Sequence, residues 1–460
     1  MIGTLKEIKE LLGNQVIHDK DDSIMIENIS TDSRNIQKNS IFIAIKGENF
    51  DGHDFIEKAI QLGAYGVVIS KDHHNKKNIS YSSLIEVDDT IEAYGKIARF
   101  YREKRKFKVV AITGSSGKTT TKDMIAQVLE SKFNVVKTFK NNNNEIGLPY
   151  TILSATEETE VLVLEMGMRA LDEIKQLTEI ADPDIGIITN IGVAHIGELG
   201  SRENIFQAKT ELYQNMRNDG IAIINGEDDF FNQMLSTFSG EKRVFGFNEQ
   251  ATIKGEIIRE SQDFTKLLIK RENQEYIVDL PFTGKHLILD ALGAIEIGLI
   301  FNIDINDIIM SLSRLDVSPG RLEVKDFENY TIIDDTYNAN PDSMRASLNI
   351  LEKYNGFKIA VLGDMKELGP HEAELHKEVG EYCSQLMIDT IITVGALGRY
   401  IGEGINSSTN NNDIKVYSVL SNLDAYDILK KVIQTDAVVL VKGSRAMGME
   451  KIIELLEVDE

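Results

Sequence analysis

Residues 109–121 read Val-Val-Ala-Ile-Thr-Gly-Ser-Ser-Gly-Lys-Thr-Thr-Thr, and this stretch decides the fold. A short apolar, β-branched run ends in a glycine-rich turn. Lys118 and Thr119 then open a segment with helical spacing. Such a turn aims successive backbone N–H groups into one concavity, and the helix N-terminus adds its positive dipole end. Lys118 can reach the outer phosphates of a nucleotide, and the Thr119 hydroxyl can ligate Mg²⁺. The full Gly-x-x-x-x-Gly-Lys-Thr pattern would need glycine at 112, where Ile112 stands. The bland alternative is a strand-turn-helix corner that happens to contain Gly-Lys-Thr. Against it stands the order of parts: strand, glycines, lysine and helix follow one another as a phosphate cradle requires.

Outward from this corner, three blocks emerge. Residues 1–105 mix short strands (Ile41–Ile45, Gly66–Ile69) with helical stretches such as Phe55–Leu62. The charged helix end Arg99–Lys108 leads into the next block. From 106 to 315, apolar runs alternate with helical periods: Val109–Ile112, Val161–Leu164, Ile185–Thr189, Ile221–Ile224. This alternation predicts βαβ units and a mostly parallel sheet. Residues 251–283 switch to strand-like alternation, a small β appendage. Alternation resumes over 316–460 with Tyr330–Ile333, Lys358–Leu362, Thr390–Val394 and Ala437–Val441. The fold expected is α/β throughout. A small mixed N-terminal domain precedes a central parallel-sheet ATPase, and a Rossmann-like C-terminal domain follows.

The chain has 460 residues, too many for one ordinary core. Lys and Arg number 50 against 73 Asp and Glu, a net charge of −23. That excess argues against nucleic acid, whose phosphates need a basic surface. Anionic small molecules would be held by local glycines, lysines and metal, against the global field. The one cysteine, Cys383, excludes an internal disulfide and lies at helical spacing from Val379 and Leu386, so it is read as core filling. The N-terminus lacks a signal-peptide pattern, and no uncharged apolar run reaches the roughly 18 residues a spanning helix needs. A cytoplasmic location without membrane insertion is the expectation.

Polar or glycine residues follow nearly every strand: Thr113–Thr119, Glu165, Thr189-Asn190, Asn225, Asp334-Asp335, Gly363-Asp364 and Lys442-Gly443-Ser444. In open parallel sheets the ligand sits beyond the carboxyl ends of the strands. Two such sheets with these edges facing each other make an interdomain cleft. Glu165 ends an apolar strand, where an ATPase needs an acid for the Mg²⁺ that Thr119 touches. His195 follows a strand and turn, and its imidazole can ligate, orient, or simply be satisfied in its loop. Lys209, in Gln207-Ala208-Lys209-Thr210, reads from spacing alone as a solvated lysine. Asn141–Asn144 is an amide cluster suited to a peptide or sugar ligand, or a polar surface loop. His286 and Asp290 lie one helical turn apart. Asp335 can meet metal or ribose, Tyr337 and Asn338 can meet a base, and Asn340 caps the helix beginning at Pro341. Thr31-Asp32-Ser33-Arg34 is a turn, or an anion-binding corner built on Arg34.

In order along the chain, these stretches resemble the Mur ligases of bacterial cell-wall synthesis. The specific ones are Asn143-Asn144-Glu145-Ile146-Gly147, Asp335-Thr336-Tyr337-Asn338-Ala339-Asn340-Pro341 and Gly363-Asp364-Met365 with Glu367-Leu368-Gly369. The resemblance extends from Thr31-Asp32-Ser33-Arg34 to Lys442-Gly443-Ser444-Arg445.

It implies that Gly114, Ser115, Ser116, Gly117, Lys118, Thr119 and Thr120 cradle ATP phosphates, with His286, Asp290, Arg321, Asp335 and Asn338 around the rest of the nucleotide. Thr119, Glu165, His195 and Lys209 would hold two Mg²⁺, Lys209 as an N-carbamate. Lys118, Lys209, His195 and Glu165 would carry the catalysis. Ser33, Arg34, Asn143, Asn144, Lys442, Ser444 and Arg445 would contact a UDP-muramoyl-tripeptide and D-Ala-D-Ala. The implied reaction is ATP-driven amide formation through an acyl phosphate, by a monomer.

A lysine of ordinary pKa is neutral in only about one molecule in a thousand near neutral pH, so a carbamate needs cations or desolvation around it. Three residues depart from the family pattern: Ser116 for Asn, Lys140 for Gly, and Asp290 for Asn. A carboxylate cannot donate a hydrogen bond unless protonated. Other readings are a sister ligase that adds a single amino acid, and a P-loop switch ATPase with no amide acceptor. The Asp-Asn-Pro-Arg type signature of the sister that adds the third residue is absent, and a switch would leave Asn141–Asn144 and Lys442–Arg445 unexplained.

Overall fold

A computed structural model describes residues 1–13, 16–18, 21–47, 50–73, 83–262, 264–315, 319–408 and 413–459. The central sheet has nine strands. Lys108–Thr113 lies inside it, flanked by Val161–Glu165 on one side and Ile185–Ile188 on the other, all parallel. The chain runs from this strand to Val135–Lys137 at the sheet edge, returns through Val161–Glu165 and then crosses to Ile185–Ile188 on the other side, which opens a crevice at the carboxyl end of Lys108–Thr113. Its residues Val109, Val110, Ala111 and Ile112 are fully buried, as are Leu162, Val163, Leu164 and Ile187. Strands covered on both faces read as continuous apolar runs. Burying each of the Val, Leu and Ile side chains contributes about 1.5–3 kcal/mol.

The predicted β appendage is Ile253–Glu260, Thr265–Arg271 and Gln274–Leu280. It is not a detached unit: Ile253–Glu260 pairs with Glu241–Gly246, and the other two strands extend the central sheet as an antiparallel edge. The C-terminal sheet orders Glu323–Asp326, Tyr330–Asp335, Ala437–Lys442, Lys358–Gly363, Thr390–Val394 and Lys415–Val419. Only the first is antiparallel to its neighbour. The N-terminal block has a five-stranded sheet and a two-stranded pair, Gly3–Thr4 with Met25–Ile26.

The helix Thr90–Arg105 joins the first two blocks. Asp89 caps it by accepting from the Ile91 and Glu92 N–H groups, and Lys106 ends it at φ +55°. It docks firmly on the central domain. Tyr101 donates to the Ala155 carbonyl at 2.7 Å, and Arg102 reaches Asp184 at 3.0 Å. Asp184 also receives Lys108, Arg217 and the Val109 N–H, so its buried charge is amply compensated. Cys383 lies fully buried in the helix Glu372–Cys383, as core filling should. Among the described residues no helix is long and apolar enough to cross a membrane.

Candidate functional site

The carboxyl ends of the central and C-terminal sheets face a shared cavity of about 1570 Å³. Its floor is the glycine turn. Gly114 (φ +153°) passes so close to Thr189 that a Cβ there would stand 1.8 Å from the hydroxyl, and Gly117 is left-handed (φ +79°). Only glycine follows this path without strain. Helix Lys118–Leu129 starts at Gly117 with no side-chain cap, which leaves its first N–H groups to a ligand. The Ser116 N–H donates to Asn190 Oδ1 (3.0 Å), and the Ser116 carbonyl accepts from Asn190 Nδ2 (3.1 Å) and Thr189 Oγ1 (2.5 Å). The turn is thus fixed through backbone groups of Ser116, which do not depend on its side chain. Lys118 donates to the Gly114 carbonyl at 2.7 Å, folded back over the cradle. Burial lowers its amine below the usual lysine value.

Glu165 is buried at its strand end. One carboxylate oxygen accepts from Thr119 Oγ1 (2.9 Å) and the other from Asn143 Nδ2 (2.9 Å). Asn144 Oδ1 accepts from the Gly147 N–H at 2.9 Å, where the helix Gly147–Leu153 begins. Lys140, just ahead of the amide cluster, adopts φ +52°. The loop keeps its left-handed corner in spite of the side chain.

His195 sits at φ +64° with a buried Nδ1 that has no aligned hydrogen bond. Its nearest acceptor is Glu367 Oε2, 3.0 Å away on the C-terminal domain. The contact holds the Glu367 carboxyl below its ordinary value. Lys209 is buried, not solvated: the helix Arg202–Asn215 turns it inward, to 1% exposure. Among the described residues it has no carboxylate partner. Burial drives its amine well below the usual lysine value, and the charge of Lys118 pushes the same way. That is the condition a carbamate requires.

On the facing sheet, Asp335 Oδ2 accepts from Lys442 Nζ and Ser347 Oγ, both at 2.5 Å. Lys442 also donates to the Asn338 carbonyl at 3.1 Å. Arg321 stacks over the Tyr337 ring at 4.0 Å. Burial lowers His286 to about 4, so its imidazole is neutral at pH 7. Burial pushes the Asp290 carboxyl up to about 8, so at pH 7 it is mainly a neutral acid and can donate a hydrogen bond, as asparagine would.

Most residues expected in the site line this one cavity, including Lys118, Glu165, His195, Arg321 and Asn338. Gly114, Lys209 and Ser444 are not among the residues that line it. Ser33 and Arg34 are not brought to it. Arg34 is tied to Asp32 by paired bonds of 2.9 and 2.8 Å on the N-terminal domain. Sequence reasoning missed Asn190, Asp342 and Glu367 as site residues. Asp342 accepts from the Val193 N–H (3.1 Å) across the cleft, and Asn340, besides capping its helix, reaches Ser116 Oγ at 3.2 Å. A polar residue just beyond a strand was the available signal for Asn190, and the stretch Glu367-Leu368-Gly369 for Glu367.

The sequence matches three domains: the Mur ligase family catalytic domain over residues 25–102, the Mur ligase middle domain over 112–298, and the Mur ligase glutamate ligase domain over 320–445. UDP-N-acetylmuramoyl-tripeptide–D-alanyl-D-alanine ligase of Bacillus subtilis is 36% identical, over 98% of this chain and 97% of its own. The ligase of the same name in Escherichia coli is 31% identical, over 99% and 98%. The crystal structure of MurF from Acinetobacter baumannii superposes with a TM-score of 0.90 at 30% identity, covering 99% of this chain and 98% of that one. MurF from Thermotoga maritima in complex with ADP gives 0.83 at 29%, covering 94% and 97%.

Proposed function

The chain belongs to the Mur ligase family, and from that premise we propose how its residues do the family's work. It is an ATP-dependent, ADP-forming carbon–nitrogen ligase of peptidoglycan synthesis, joining D-alanyl-D-alanine to a UDP-N-acetylmuramoyl-tripeptide. The observation that carries the assignment of roles is the convergence of the glycine turn, Glu165, His195, Asp335 and Lys442 on one cavity between two sheets.

The terminal carboxylate of the tripeptide attacks the γ-phosphorus of ATP. The bond to the β,γ-bridging oxygen breaks, and ADP and an acyl phosphate result. The amine of D-alanyl-D-alanine then attacks the acyl carbon, loses a proton, and inorganic phosphate leaves. Both reactants are anionic, so the residues' main task is to hold and neutralise charge. The amides of Gly114–Thr120 and the Lys118 ammonium grip the phosphates. Asp335 and Asn338 bind toward the ribose and base, with His286, Asp290 and Arg321 alongside. Asn143 and Asn144 face the tripeptide, and Lys442, Ser444 and Arg445 the incoming dipeptide. Ser33 and Arg34 bind the UDP-sugar end on the N-terminal domain, outside the reaction cavity.

The Thr119 hydroxyl, Glu165 and His195 fit Mg²⁺. Among the described residues no group of three or more acids, histidines or cysteines is arranged to hold a metal ion by itself. Mg²⁺ is ordinarily held by one or two carboxylates with water and substrate phosphates making up the shell. When bound it neutralises charge on the transferring phosphoryl group. Lys209 adds CO₂ to its neutral amine and releases a proton, which places an anion where the described residues provide no carboxylate. The enzyme acts as a monomer in the cytoplasm.

The test is phosphate release from ATP with UDP-muramoyl-tripeptide and D-Ala-D-Ala, a single amino acid, or no acceptor. Stimulation by the dipeptide alone is expected. Stimulation by the amino acid alone would transfer the chain to a sister reaction, and release independent of any acceptor would make it a switch ATPase.

A further inference from the structure

Two loops from different sheets meet at the cavity mouth. One follows the strand Ile185–Ile188 and carries His195; the other follows Lys358–Gly363 and carries Glu367. His195 and Glu367 both lie in left-handed backbone, at φ +64° and +65°. Behind them the backbones touch. The Gly197 N–H donates to the Glu367 carbonyl at 3.2 Å. A Cβ on Gly197 would stand 2.6 Å from the Gly369 nitrogen, and one on Gly369 would stand 2.7 Å from the Gly197 Cα. Only glycine at both positions lets the loops approach this closely.

The Glu367 loop is braced by its own domain. The Met365 N–H donates to His376 Nε2 (2.8 Å), and the Lys366 N–H to Ser444 Oγ (2.8 Å). Asp364 accepts from the Leu397 and Gly398 N–H groups (3.0 and 2.8 Å). The Glu367 carboxylate is thus delivered to a fixed place, 3.0 Å from His195 Nδ1.

The Glu367 side chain is 42% exposed. An ion pair so open contributes little to stability, whereas two left-handed side-chain-bearing residues each cost of order 1 kcal/mol or more. Strain of this kind persists at sites where geometry serves function. A carboxylate that faces one imidazole nitrogen favours the proton there and leaves the lone pair on the other, which fixes the ring as a metal ligand.

We propose that Glu367 is a positioning residue: carried on the C-terminal domain, it orients the His195 imidazole of the central domain, so that cation binding at His195 is completed only when the two domains are apposed. This rests on the reading of His195 as a cation ligand.

The experiment uses the full chain with ADP and Mn²⁺ as a paramagnetic probe. Mn²⁺ affinity is measured by magnetic resonance, alongside steady-state ligation at varied Mg²⁺. Glu367→Ala should weaken Mn²⁺ binding and raise the half-saturating Mg²⁺ by about 10- to 100-fold, the usual effect of losing such a partner. The KM for the UDP-substrate should hold within about twofold, since the side chain lies beyond that binding step. Glu367→Gln, which keeps shape and an acceptor oxygen, should recover most of the affinity. Gly197→Ala, which props the loops apart, should reproduce the Glu367→Ala defect, and the double variant should be no worse than either single one.

Unchanged Mn²⁺ affinity in Glu367→Ala would overturn the proposal, whatever happens to the rate. So would a defect in Glu367→Ala that simply adds to that of Gly197→Ala. The Mn²⁺ readout needs no acceptor, so failure of the ligase assignment would appear separately, as an unmodified chain that binds Mn²⁺·ADP but does not use D-Ala-D-Ala.

Discussion

Asp290 lies against the glycine turn so closely that a Cβ on Gly117 would sit 3.0 Å from each of its carboxylate oxygens. A carboxyl group therefore flanks the phosphate cradle itself. Burial holds it protonated up to about pH 8. Above that pH an unpaired anion forms beside the place where nucleotide phosphates bind. ADP affinity, followed by calorimetry without divalent metal, should fall from pH 7 to pH 9.5, and Asp290→Asn should flatten the decline. Equal slopes for the two proteins would refute this.

Stability carries the same signature. The native state keeps the Asp290 proton between about pH 4 and about pH 8, where the unfolded chain has lost it. Proton uptake thus favours the native state at low pH, and that contribution declines as pH rises through this window. Asp290→Asn should gain stability relative to the parent as pH increases, with the difference levelling off above pH 8. Denaturant midpoints at pH 5, 7 and 9 would reveal it.

Lys209→Ala should abolish ligation while leaving ADP binding intact, and short carboxylic acids should partly restore the rate. They would fill the void with the anion that the buried amine, once carbamylated, supplies. Full activity of the variant in CO₂-depleted buffer would remove the carbamate from the account.

Asp335 and Lys442 form a buried pair, their side chains 11% and 3% exposed. Asp335→Ala strands the ammonium, and removing one partner of such a pair costs about 3–5 kcal/mol. Thermal unfolding should shift down accordingly. Replacing both residues with apolar ones of similar volume should restore much of the loss, although not the activity.

Lys140 is exposed at φ +52°. Lys140→Gly should raise stability by about 1 kcal/mol, the cost of the left-handed region for a residue with a Cβ. A chemical denaturation curve shifted the other way would show that the lysine has compensating contacts.

The parts of the fold that were legible in the sequence are those set by local chemistry. The glycine turn announced itself because Gly114 and Gly117 are needed by backbone geometry. The inner strands did so because burial on both faces demands unbroken apolar runs such as Val161–Leu164. The edge strands Glu323–Asp326 and Lys415–Val419 went unread: half-exposed edges carry polar residues and lose that pattern. Lys209 gave no signal in its own neighbourhood, since what buries it comes from elsewhere in the chain. Asp342 was illegible for a related reason, and Glu367 stood out only as part of a family stretch, without a role. Each gains its role from a loop on the opposite sheet, which no spacing along one segment encodes. The sealing of the Asp290 carboxyl likewise depends on tertiary packing, so its protonation had to be read from the structure.

Cys383 has one last use. Its thiol is wholly enclosed, and burial pushes it up to about 12. Maleimide reagents, which attack the thiolate, should ignore it. Fluorophores can therefore be attached through cysteines introduced on the outer faces of the first and last domains, with the native sulfur left in place. Any change in the separation of those domains could then be watched, molecule by molecule, on an otherwise unaltered polypeptide.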